Sequence, residues 1–436
     1  MIHHFRTMTM RTGHTKYSAV SLALQKFLAR KELSSISVGN EYVSLDKATD
    51  RILASNILCP IDIPPFQRST VDGYAILSSD TTGAPRNNRV LLNVIDEINA
   101  GKFSQTKIRP GEAVAIATGA RVPLGADSVV MIEDVIVEDE GRQICIPDDI
   151  YKGSNISPRG NDLKKGQILL KEGTWLTAAD IGLIASVGIP RILVYKRVKV
   201  AVLSTGSELA EPGSNLGSAS VFDSNRFMLS SMVGKYGGEA VDLGICKDEK
   251  SAIRAKIMKG LKFDVVLISG GSSVGEKDYV PELINGIGKP GIIVHGVAMK
   301  PGSPTSLGVA NGKPVIVLPG YPVSAFFAFY TFGRPLLYKI LRTGGPPAAR
   351  QVAKLTSNVK LHIGMTTFVR VKILRGRGCF FAEPVSATGA SLLSTLAYCD
   401  GIVIFKDNRR GLQKEHILHK GQDVEVVLLR DVYKEA

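Results

Sequence analysis

The spacing of apolar residues between Val198 and Leu341 predicts alternating strands and helices. Apolar runs of strand length are expected at residues 198–203, 240–245, 264–269, 292–297, 305–309 and 314–318. Helical spacing is expected at 223–236, in a helix that opens at Asp248 and stops at Gly260, and in a long segment from Pro322 to Leu341. Because the run 264–269 is apolar through its middle, as in strands covered on both faces, we predict a doubly wound sheet.

The flanking regions have a different pattern. Residues 90–139 and 144–174 contain short apolar runs broken by Gly, Pro and Asp, as in small β-barrels or sandwiches. A short connecting helix is expected from Thr177 to Gly188. The segment 343–349, with two Gly and two Pro, is typical of a linker, and short strands follow it. At 436 residues the chain exceeds one ordinary core, so we expect three or four domains.

The formal charge of the chain is +14, from 54 Lys and Arg against 40 Asp and Glu. Such a charge attracts anions, whether nucleic acid, phosphate esters or oxyanions, and by its sign alone it does not choose among them. The basic residues are dispersed and no aromatic-rich basic segment is visible in the sequence. Nucleic acid is therefore the weaker interpretation.

Cysteine usage and the N-terminus bear on the compartment. The five cysteines are odd in number, widely spaced and never paired as Cys-x-x-Cys, which argues against a disulfide framework or a zinc ribbon. A reducing cytoplasm fits best, and residues 1–10 lack the apolar core of a signal peptide. The apolar segment 322–341 is interrupted by Gly333, Arg334, Pro335 and Lys339, which favours a buried helix over a membrane span.

Glycine-containing turns follow the predicted strands of the sheet region. In open parallel sheets, turns at the carboxyl ends of strands direct N–H groups and helix N-termini into a shared crevice, where an anion binds. The loop from Gly270 to Gly275 has phosphate-loop spacing, but Glu276 follows it instead of Lys and Ser or Thr, which disfavours ATP hydrolysis. The turns are Thr205-Gly206, Ser269-Gly270-Gly271, Pro301-Gly302 and Pro319-Gly320.

Charged residues lie beside these turns in the sequence. Glu208 follows the first turn, Asp248 is placed at a helix start, and Asp278 follows the glycine-rich loop. Helix capping is the simpler interpretation of each, but carboxylates beside a phosphate site are unfavourable unless a cation lies between. We therefore expect Mg²⁺ held by Glu208, Asp248 and Asp278, and Lys300 as a positive charge in the same crevice.

Several motifs resemble the signature of the molybdopterin molybdenumtransferases, the family of MoeA and gephyrin. The resemblance runs from about Lys16 onward, and so many ordered matches are specific, although the glycine-rich loop alone would also fit a molybdopterin adenylyltransferase. The motifs are Pro64-Pro65-Phe66, Ser69, Asp72-Gly73-Tyr74-Ala75, Ala117-Thr118-Gly119-Ala120, Gly160-Asn161-Asp162, Ser204 to Leu209, Asp223-Ser224-Asn225-Arg226, Ser269-Gly270-Gly271, Val274 to Tyr279, Lys300-Pro301-Gly302 and Leu318-Pro319-Gly320.

The resemblance implies a multidomain α/β plus β fold. Its central doubly wound, mostly parallel sheet domain (196–343) would accompany an elongated, discontinuous linking domain (14–62 and 153–195), a small β domain (63–152) and a C-terminal β-barrel (350–436). It also implies a homodimer with a shared active site, and a molybdopterin adenylyltransferase as pathway partner. No membrane partner is expected.

The activity implied is insertion of molybdate, or tungstate, into adenylylated molybdopterin, with release of AMP in the presence of Mg²⁺. The catalytic residues implied are Asp72, Thr118, Asp162, Glu208, Asp248 and Asp278. The substrate-binding residues expected from the turns and from the resemblance are Ser204, Thr205, Gly206, Ser269, Gly270, Gly271, Ser273, Gly275, Lys300, Pro301, Gly302, Pro319, Gly320, Arg370, Ser391 and Ser394.

The sequence also departs from the pattern of the family. Gly296, Ser303 and Ser157 stand where the family often has a basic residue, and Tyr321 replaces a usual Asn. Fewer cations imply weaker or reshaped oxyanion binding, so tungstate or a specialised paralogue is compatible with the sequence. Two other functions stay open: a molybdopterin adenylyltransferase that uses ATP, and a non-catalytic scaffold of the gephyrin type.

Overall fold

The alternating segments of residues 198–318 form one six-stranded sheet. The computed structural model describes residues 9–12, 15–82, 89–271, 279–385, 391–406 and 415–430. The strands of this sheet are β1 (Val198–Thr205), β2 (Gly238–Cys246), β3 (Val265–Ser269), β4 (Gly291–His295), β5 (Ser306–Ala310) and β6 (Lys313–Leu318). All six strands predicted from the apolar runs are present.

The sheet has the strand order β2-β1-β3-β6-β5-β4. The pairings of β1 with β2, β1 with β3, and β3 with β6 are parallel. Strand β5 is antiparallel to both β6 and β4. The prediction of a mostly parallel sheet is therefore confirmed, with β5 as the strand that runs against the others.

Helices cover both faces of the sheet. They are α1 (Asn225–Lys235), α2 (Lys250–Gly260) and α3 (Tyr279–Ile287). Alternate residues of β1 point to opposite faces, and Val200 shares a buried cluster with Leu229 of α1, whereas Ala201 shares another with Ile253 of α2. The sheet is therefore doubly wound, as predicted.

The chain leaves β1 and β3 toward opposite faces of the sheet. Helix α1 follows β1 and packs in the first cluster, whereas α3 follows β3 and packs Val280 and Ile284 in the second. Adjacent parallel strands whose connections diverge in this way open a crevice at their carboxyl ends. The fold thus places a crevice beside Thr205 and Ser269.

The segment 322–341 is interrupted, and not a single long helix. Two α-helices, Pro322–Ala328 and Arg334–Ile340, flank a π-helical turn, Phe329–Gly333. Pro335 has no N–H to donate to the carbonyl four residues earlier, which weakens the α-helical ladder at this point. Phe327, Phe329 and Phe332 are fully buried, so the predicted burial is confirmed. Of the helices in the described ranges, none combines the length and hydropathy needed to cross a bilayer.

A closed barrel forms the C-terminal region. Strands Arg350–Leu355, Thr366–Arg375, Phe380–Pro384, Gly401–Lys406 and Asp423–Leu428 each pair with two others and close the ring. A ladder of Val359–His362 with Glu415–Leu418 and the helix Ser394–Tyr398 accompany it. The sequence-based expectation of a C-terminal β-barrel is confirmed.

The chain forms two compact units, the first made of residues 1–54, 173–177 and 193–436. The first contains the sheet and the barrel. Near its N-terminal end it also contains strands Thr9–Thr12, Thr15–Ser18 and Asn40–Ser44, and helices Val20–Leu28 and Lys31–Ser34. Strand Arg191–Tyr195 leads back into this unit.

The second unit consists of residues 55–172 and 178–192. Its six-stranded sheet contains Gly73–Ile76, Val90–Ile98, Glu112–Ile116, Ser128–Met131, Ile136–Glu138 and Gln143–Ile146. Two short ladders join Ile57–Leu58 to Ile168–Leu170 and Arg68–Ser69 to Ile156–Ser157, and the connecting helix spans Ala178–Ser186. The small β region is thus present, while the division into four domains and their boundaries stay predictions.

Candidate functional site

Three glycine turns meet at the carboxyl ends of β1, β3 and β6. The N–H of Gly270 donates to the carbonyl of Leu318 at 3.1 Å. A β-carbon built at Gly270 would lie 2.2 Å from the carbonyl oxygen of Thr205, and one built at Gly320 would lie 3.8 Å from Cα of Gly270. The structure therefore brings together the predicted turns at Thr205-Gly206, Ser269-Gly270-Gly271 and Pro319-Gly320.

Asn225, which begins α1, joins two of these turns. Its Nδ2 donates to Oγ of Ser269 at 2.7 Å and to the carbonyl oxygen of Gly320 at 2.7 Å. Sequence reasoning did not place Asn225 among the site residues. Its only signal there was its position inside the motif Asp223-Ser224-Asn225-Arg226.

Ser204 and Asp223 connect β1 to the same helix. Ser204 Oγ donates to Oδ1 of Asp223 at 3.0 Å, and this carboxylate also accepts the N–H of Arg226 in the first turn of α1. Arg226 is 4% exposed and its guanidinium pairs with Asp223, Asp242 and Glu211. Burial lowers the pKa of Arg226, but its bonds to these carboxylates outweigh burial and hold the pKa above its ordinary value. The start of α1 is thereby fixed to the end of β1.

Two predicted acidic residues border the turn after β1. A β-carbon at Gly206 would lie 2.8 Å from Oε1 of Glu208, and Oδ2 of Asp248 accepts the N–H of Ser207 at 3.2 Å. The prediction that Asp248 opens α2 is wrong, because that helix begins at Lys250. The Asp248 carboxylate binds the neighbouring turn instead.

The third predicted magnesium ligand, Asp278, lies outside the described residues, as do Ser273 and Gly275. Within the described ranges, no group of three or more His, Cys, Asp or Glu side chains is arranged to hold a metal ion. Two exposed carboxylates, Glu208 and Asp248, do border one turn. This donor set fits Mg²⁺, which uses one or two carboxylates together with substrate phosphates and water.

Lys300 lies beside the barrel. Its short strand, Met299–Lys300, pairs with Thr366 and Thr367, and its ammonium lies 2.6 Å from Nε2 of His362. An ammonium can only donate, so Nε2 accepts in this contact. The turn through Pro301 and Gly302 follows directly, with Gly302 at φ +120°. These contacts tie the turn to the barrel, and its place in the crevice stays a prediction.

The remaining predicted residues of the first unit belong to the barrel region. Arg370 lies on strand Thr366–Arg375, is 7% exposed, and donates from Nη1 to Oγ1 of Thr395 at 2.9 Å. Burial lowers the pKa of Arg370. Ser391 and Ser394 are exposed close by in the chain. Arg370 thus holds the short helix that contains Thr395, and its role toward substrate stays a prediction.

In the second unit, Asp72 and Thr118 are in direct contact. Oδ1 of Asp72 accepts the N–H of Thr118 at 2.7 Å. The N–H and then the hydroxyl of Thr118 stabilise the carboxylate and hold the pKa of Asp72 below its ordinary value. Asp162 is exposed, and its N–H donates to the carbonyl of Ile63 at 2.9 Å. An exposed, ionised carboxylate at Asp72 is therefore available at neutral pH.

At two of the positions that lack the basic residue often found in the family, Gly296 and Ser303, local contacts of the residue present are visible in the structure. Gly296 has φ +77°, and a β-carbon there would lie 2.8 Å from the ring of Tyr17. Ser303 donates from Oγ to the carbonyl of Met299 at 2.7 Å. Ser157 lies in a short strand and Tyr321 is 62% exposed. The chain packs a tyrosine ring where a longer side chain at 296 would have to fit.

Another concave surface lies at the opposite, amino-terminal edge of the sheet. It is a polar cavity of about 280 Å³. Two of its carboxylates are engaged, Glu41 by Arg51 and Asp264 by Lys313. It contains none of the predicted site residues, and its lining comprises Ser37, Val38, Glu41, Lys196, Arg197, Lys199, Glu239 and Asp264.

Taken together, the sheet and its converging turns define an α/β protein whose ligand crevice lies at the carboxyl ends of β1, β3 and β6. Family models match almost the whole chain. Residues 19–188 match the MoeA N-terminal region (domain I and II), residues 201–339 the probable molybdopterin binding domain, and residues 352–429 the MoeA C-terminal region (domain IV). The chain belongs to the MoeA family.

Relatives and solved structures agree with this assignment. The chain is 33% identical to the molybdopterin molybdenumtransferase of Haemophilus influenzae, over 85% of this chain and 90% of that protein. It is 32% identical to the molybdopterin molybdenumtransferase of Bacillus subtilis, over 90% of each. A crystal structure of the molybdopterin biosynthesis MoeA protein from Pyrococcus horikoshii superposes with a TM-score of 0.80 at 29% identity, over 95% of this chain and 100% of that chain.

Replacement of Thr118 should change the titration of Asp72. In Thr118→Ala the hydroxyl is lost but the N–H remains, so the pKa of Asp72 should rise and stay below its ordinary value. Because the folded pKa is depressed, this contact stabilises the fold above about pH 4, and the contribution is lost as pH falls through the folded pKa. Carboxyl-detected NMR titration measures the pKa of Asp72 in the unchanged protein and in Thr118→Ala.

Asp96 is the control for this titration. The hydroxyls of Ser104 and Thr106 lower its pKa in the same unit, without any contact to Thr118. The Asp96 titration should therefore be the same in both proteins. An unchanged pKa at Asp72 in Thr118→Ala would contradict the contribution assigned to the hydroxyl.

Two glycine substitutions separate the effect of the close contact at Gly270 on stability from the effect of backbone strain at a positive φ. Gly270→Ala adds an atom 2.2 Å from a carbonyl oxygen and places a side chain at φ +99°. Gly312→Ala, at φ +75° with open space around its β-carbon, adds strain alone. We expect Gly312→Ala to lower the free energy of unfolding by about 1–2 kcal/mol and Gly270→Ala by more than about 4 kcal/mol, as measured by urea denaturation. Equal losses of unfolding free energy in the two variants would show that the backbone moves easily to relieve the contact between residue 270 and the carbonyl of Thr205.

Proposed function

We propose that the chain is a molybdopterin molybdenumtransferase that acts in molybdenum cofactor biosynthesis. It would insert molybdate or tungstate into adenylylated molybdopterin and release AMP. The observation that carries this proposal is the extent of the likeness: relatives with this name align along the sheet domain, the barrel and the second unit together. The glycine turns at one edge of the sheet add a crevice suited to an anionic, nucleotide-bearing substrate.

The proposed reaction is balanced without an oxidant or reductant. Two sulfur–metal bonds form between the pterin dithiol and the oxyanion, and the two thiol protons leave with one oxo group as water. The metal stays hexavalent throughout. Addition of one water molecule then breaks the phosphoanhydride bond, so that AMP leaves and the phosphate stays on the pterin.

The residues of this chain would mainly position charge. We propose that the turns at Gly206, Gly270 and Gly320 line the phosphate groups, while the N–H groups of Gly206 and Gly270 themselves hold the turns by donating to the carbonyls of Cys246 and Leu318. Lys300 would contribute a positive charge for phosphate or oxyanion, because a tetrahedral oxyanion needs cationic and N–H partners. Ser204, Thr205 and Ser269 would line the ends of β1 and β3, while Arg370, Ser391 and Ser394 would act from the barrel side.

We propose Glu208, Asp248 and Asp278 as the residues that hold Mg²⁺ or its water molecules. When bound, Mg²⁺ would offset the repulsion between these carboxylates and the phosphates of the substrate. The two carboxylates that border the turn after β1 support this proposal. Asp278 enters it from the sequence alone.

We further propose a cytoplasmic homodimer in which the second unit of one chain faces the sheet domain of the other. Asp72 and Thr118, and with them Asp162, would then reach the substrate from the partner. The depressed pKa of Asp72 supports a role as an ionised group that orients the attacking water. A molybdopterin adenylyltransferase would supply the adenylylated substrate.

The insertion reaction can be tested directly. Purified protein receives adenylylated molybdopterin with Mg²⁺ and either molybdate or tungstate, and AMP release and metal content of the pterin are measured. We expect AMP release coupled to metal insertion with at least one of the two oxyanions. Consumption of ATP with metal-free molybdopterin would instead support an adenylyltransferase, and tight binding of a protein without insertion would support a scaffold.

The role of Asp248 can be tested with a neighbour as its matched control. Asp248→Asn removes a carboxylate charge at the turn after β1, whereas Glu249→Gln removes one from the next residue, whose side chain forms no capping hydrogen bond with α2. We expect Asp248→Asn to lower kcat at least tenfold and to raise the Mg²⁺ concentration needed for half-maximal activity. Glu249→Gln should remain within about twofold of the unchanged protein. Equal Mg²⁺ dependence in both variants would exclude Asp248 as a ligand.

A further inference from the structure

We infer that Asn225 is a positioning residue for the proposed reaction, acting through the turns at Ser269 and Gly320. This inference rests on the proposed function for the identity of its substrate. The geometry that carries it is a single buried amide that joins the first residue of α1 to the ends of β3 and β6. Among the predicted site residues that the structure describes, none makes such a double contact.

The orientation of the Asn225 amide follows from its partners. The carbonyl of Gly320 can only accept a hydrogen bond, so the atom that faces it must be Nδ2. Both amide hydrogens are then used, one by Gly320 and the other by Oγ of Ser269. Ser269 accepts in this bond, so its own hydroxyl hydrogen is directed to a different acceptor. Asn225 therefore sets the donor direction of Ser269 at the end of β3.

A purely structural role does not account for the buried amide oxygen, Oδ1, of Asn225. Asn225 is 7% exposed, and its Oδ1 is buried without a hydrogen-bond donor among the residues that the structure describes. Burial of an unpaired acceptor is unfavourable. The side chain nevertheless remains polar here, which is expected where its two donors are needed to hold the turns in one arrangement.

The turns held by Asn225 are the ones that close the crevice. Gly270, next to Ser269, contacts the carbonyl of Thr205, and its N–H bonds to Leu318, two residues before Gly320. A shift of either turn would move backbone that we propose to line the phosphate groups. Misplacement of about 1 Å can lower a rate by about a hundredfold, so loss of Asn225 should affect catalysis more than folding.

The test compares two asparagines that each tie a helix to a strand of the sheet region. Asn225→Ala removes the bonds at the crevice, whereas Asn285→Ala removes the bond from Oδ1 of Asn285 to the N–H of Ile292, which joins α3 to β4. We expect Asn225→Ala to lower kcat/KM for adenylylated molybdopterin about 10- to 100-fold. Asn285→Ala should stay within about twofold, although both variants lower the Tm.

A double-mutant cycle tests whether Asn225 acts through Ser269. Ser269→Ala removes the acceptor of the same hydrogen bond. If the two residues act as one unit, the double variant should be within about twofold of the more damaged single variant in kcat/KM. Independent, multiplying losses would overturn the proposed route through Ser269.

The outcomes separate the inference from the proposed function. A wild-type protein that turns over, together with an Asn225→Ala variant as active as Asn285→Ala, overturns the inference alone. A wild type that releases no AMP overturns the proposed function, and the inference with it. If Asn225→Ala does not fold, Asn225→Asp keeps the side-chain volume and loses both donors, and the same loss of kcat/KM is expected.

Discussion

The main-chain contact between Thr205 and Gly270 determines the geometry of the crevice. The carbonyl of Thr205 occupies the space that a β-carbon of residue 270 would need, so the ends of β1 and β3 approach to backbone distance. Only glycine permits this approach at a positive φ. Asn225 adds the end of β6 to this arrangement, because its amide bonds both to Ser269 at the end of β3 and to Gly320 after β6.

The sheet could be predicted from the sequence because strands covered on both faces are continuous apolar runs. Residues 264–269 were expected as a central strand, and Val265–Ser269 is fully buried between β1 and β6. The turn glycines could also be predicted, since parallel strands of one sheet end at one edge. For that reason Gly206, Gly270 and Gly320 were placed at a common crevice without any knowledge of their contacts.

The partners of individual side chains could not be predicted, because they depend on residues far apart in the chain. Lys300 contacts His362, 62 positions later, and Asn225 contacts Gly320, 95 positions later. Asp248 looked like the start of a helix, but tertiary contact with Ser207 determines its position. The interruption of the segment 322–341 had a visible cause in Pro335, yet a proline also occurs in kinked helices, so the π-helical turn was not evident.

The division of the chain into interleaved units has a consequence for biosynthesis. Ala23 and Phe27, near the N-terminus, belong to the same buried cluster as Phe332 and Leu337. Residues 55–172 are translated between these two parts and form most of the other unit. At about 5–20 residues per second, the ribosome exposes the first helix well before its packing partners exist. The nascent N-terminal segment must therefore keep its apolar side chains away from other chains until the second half emerges.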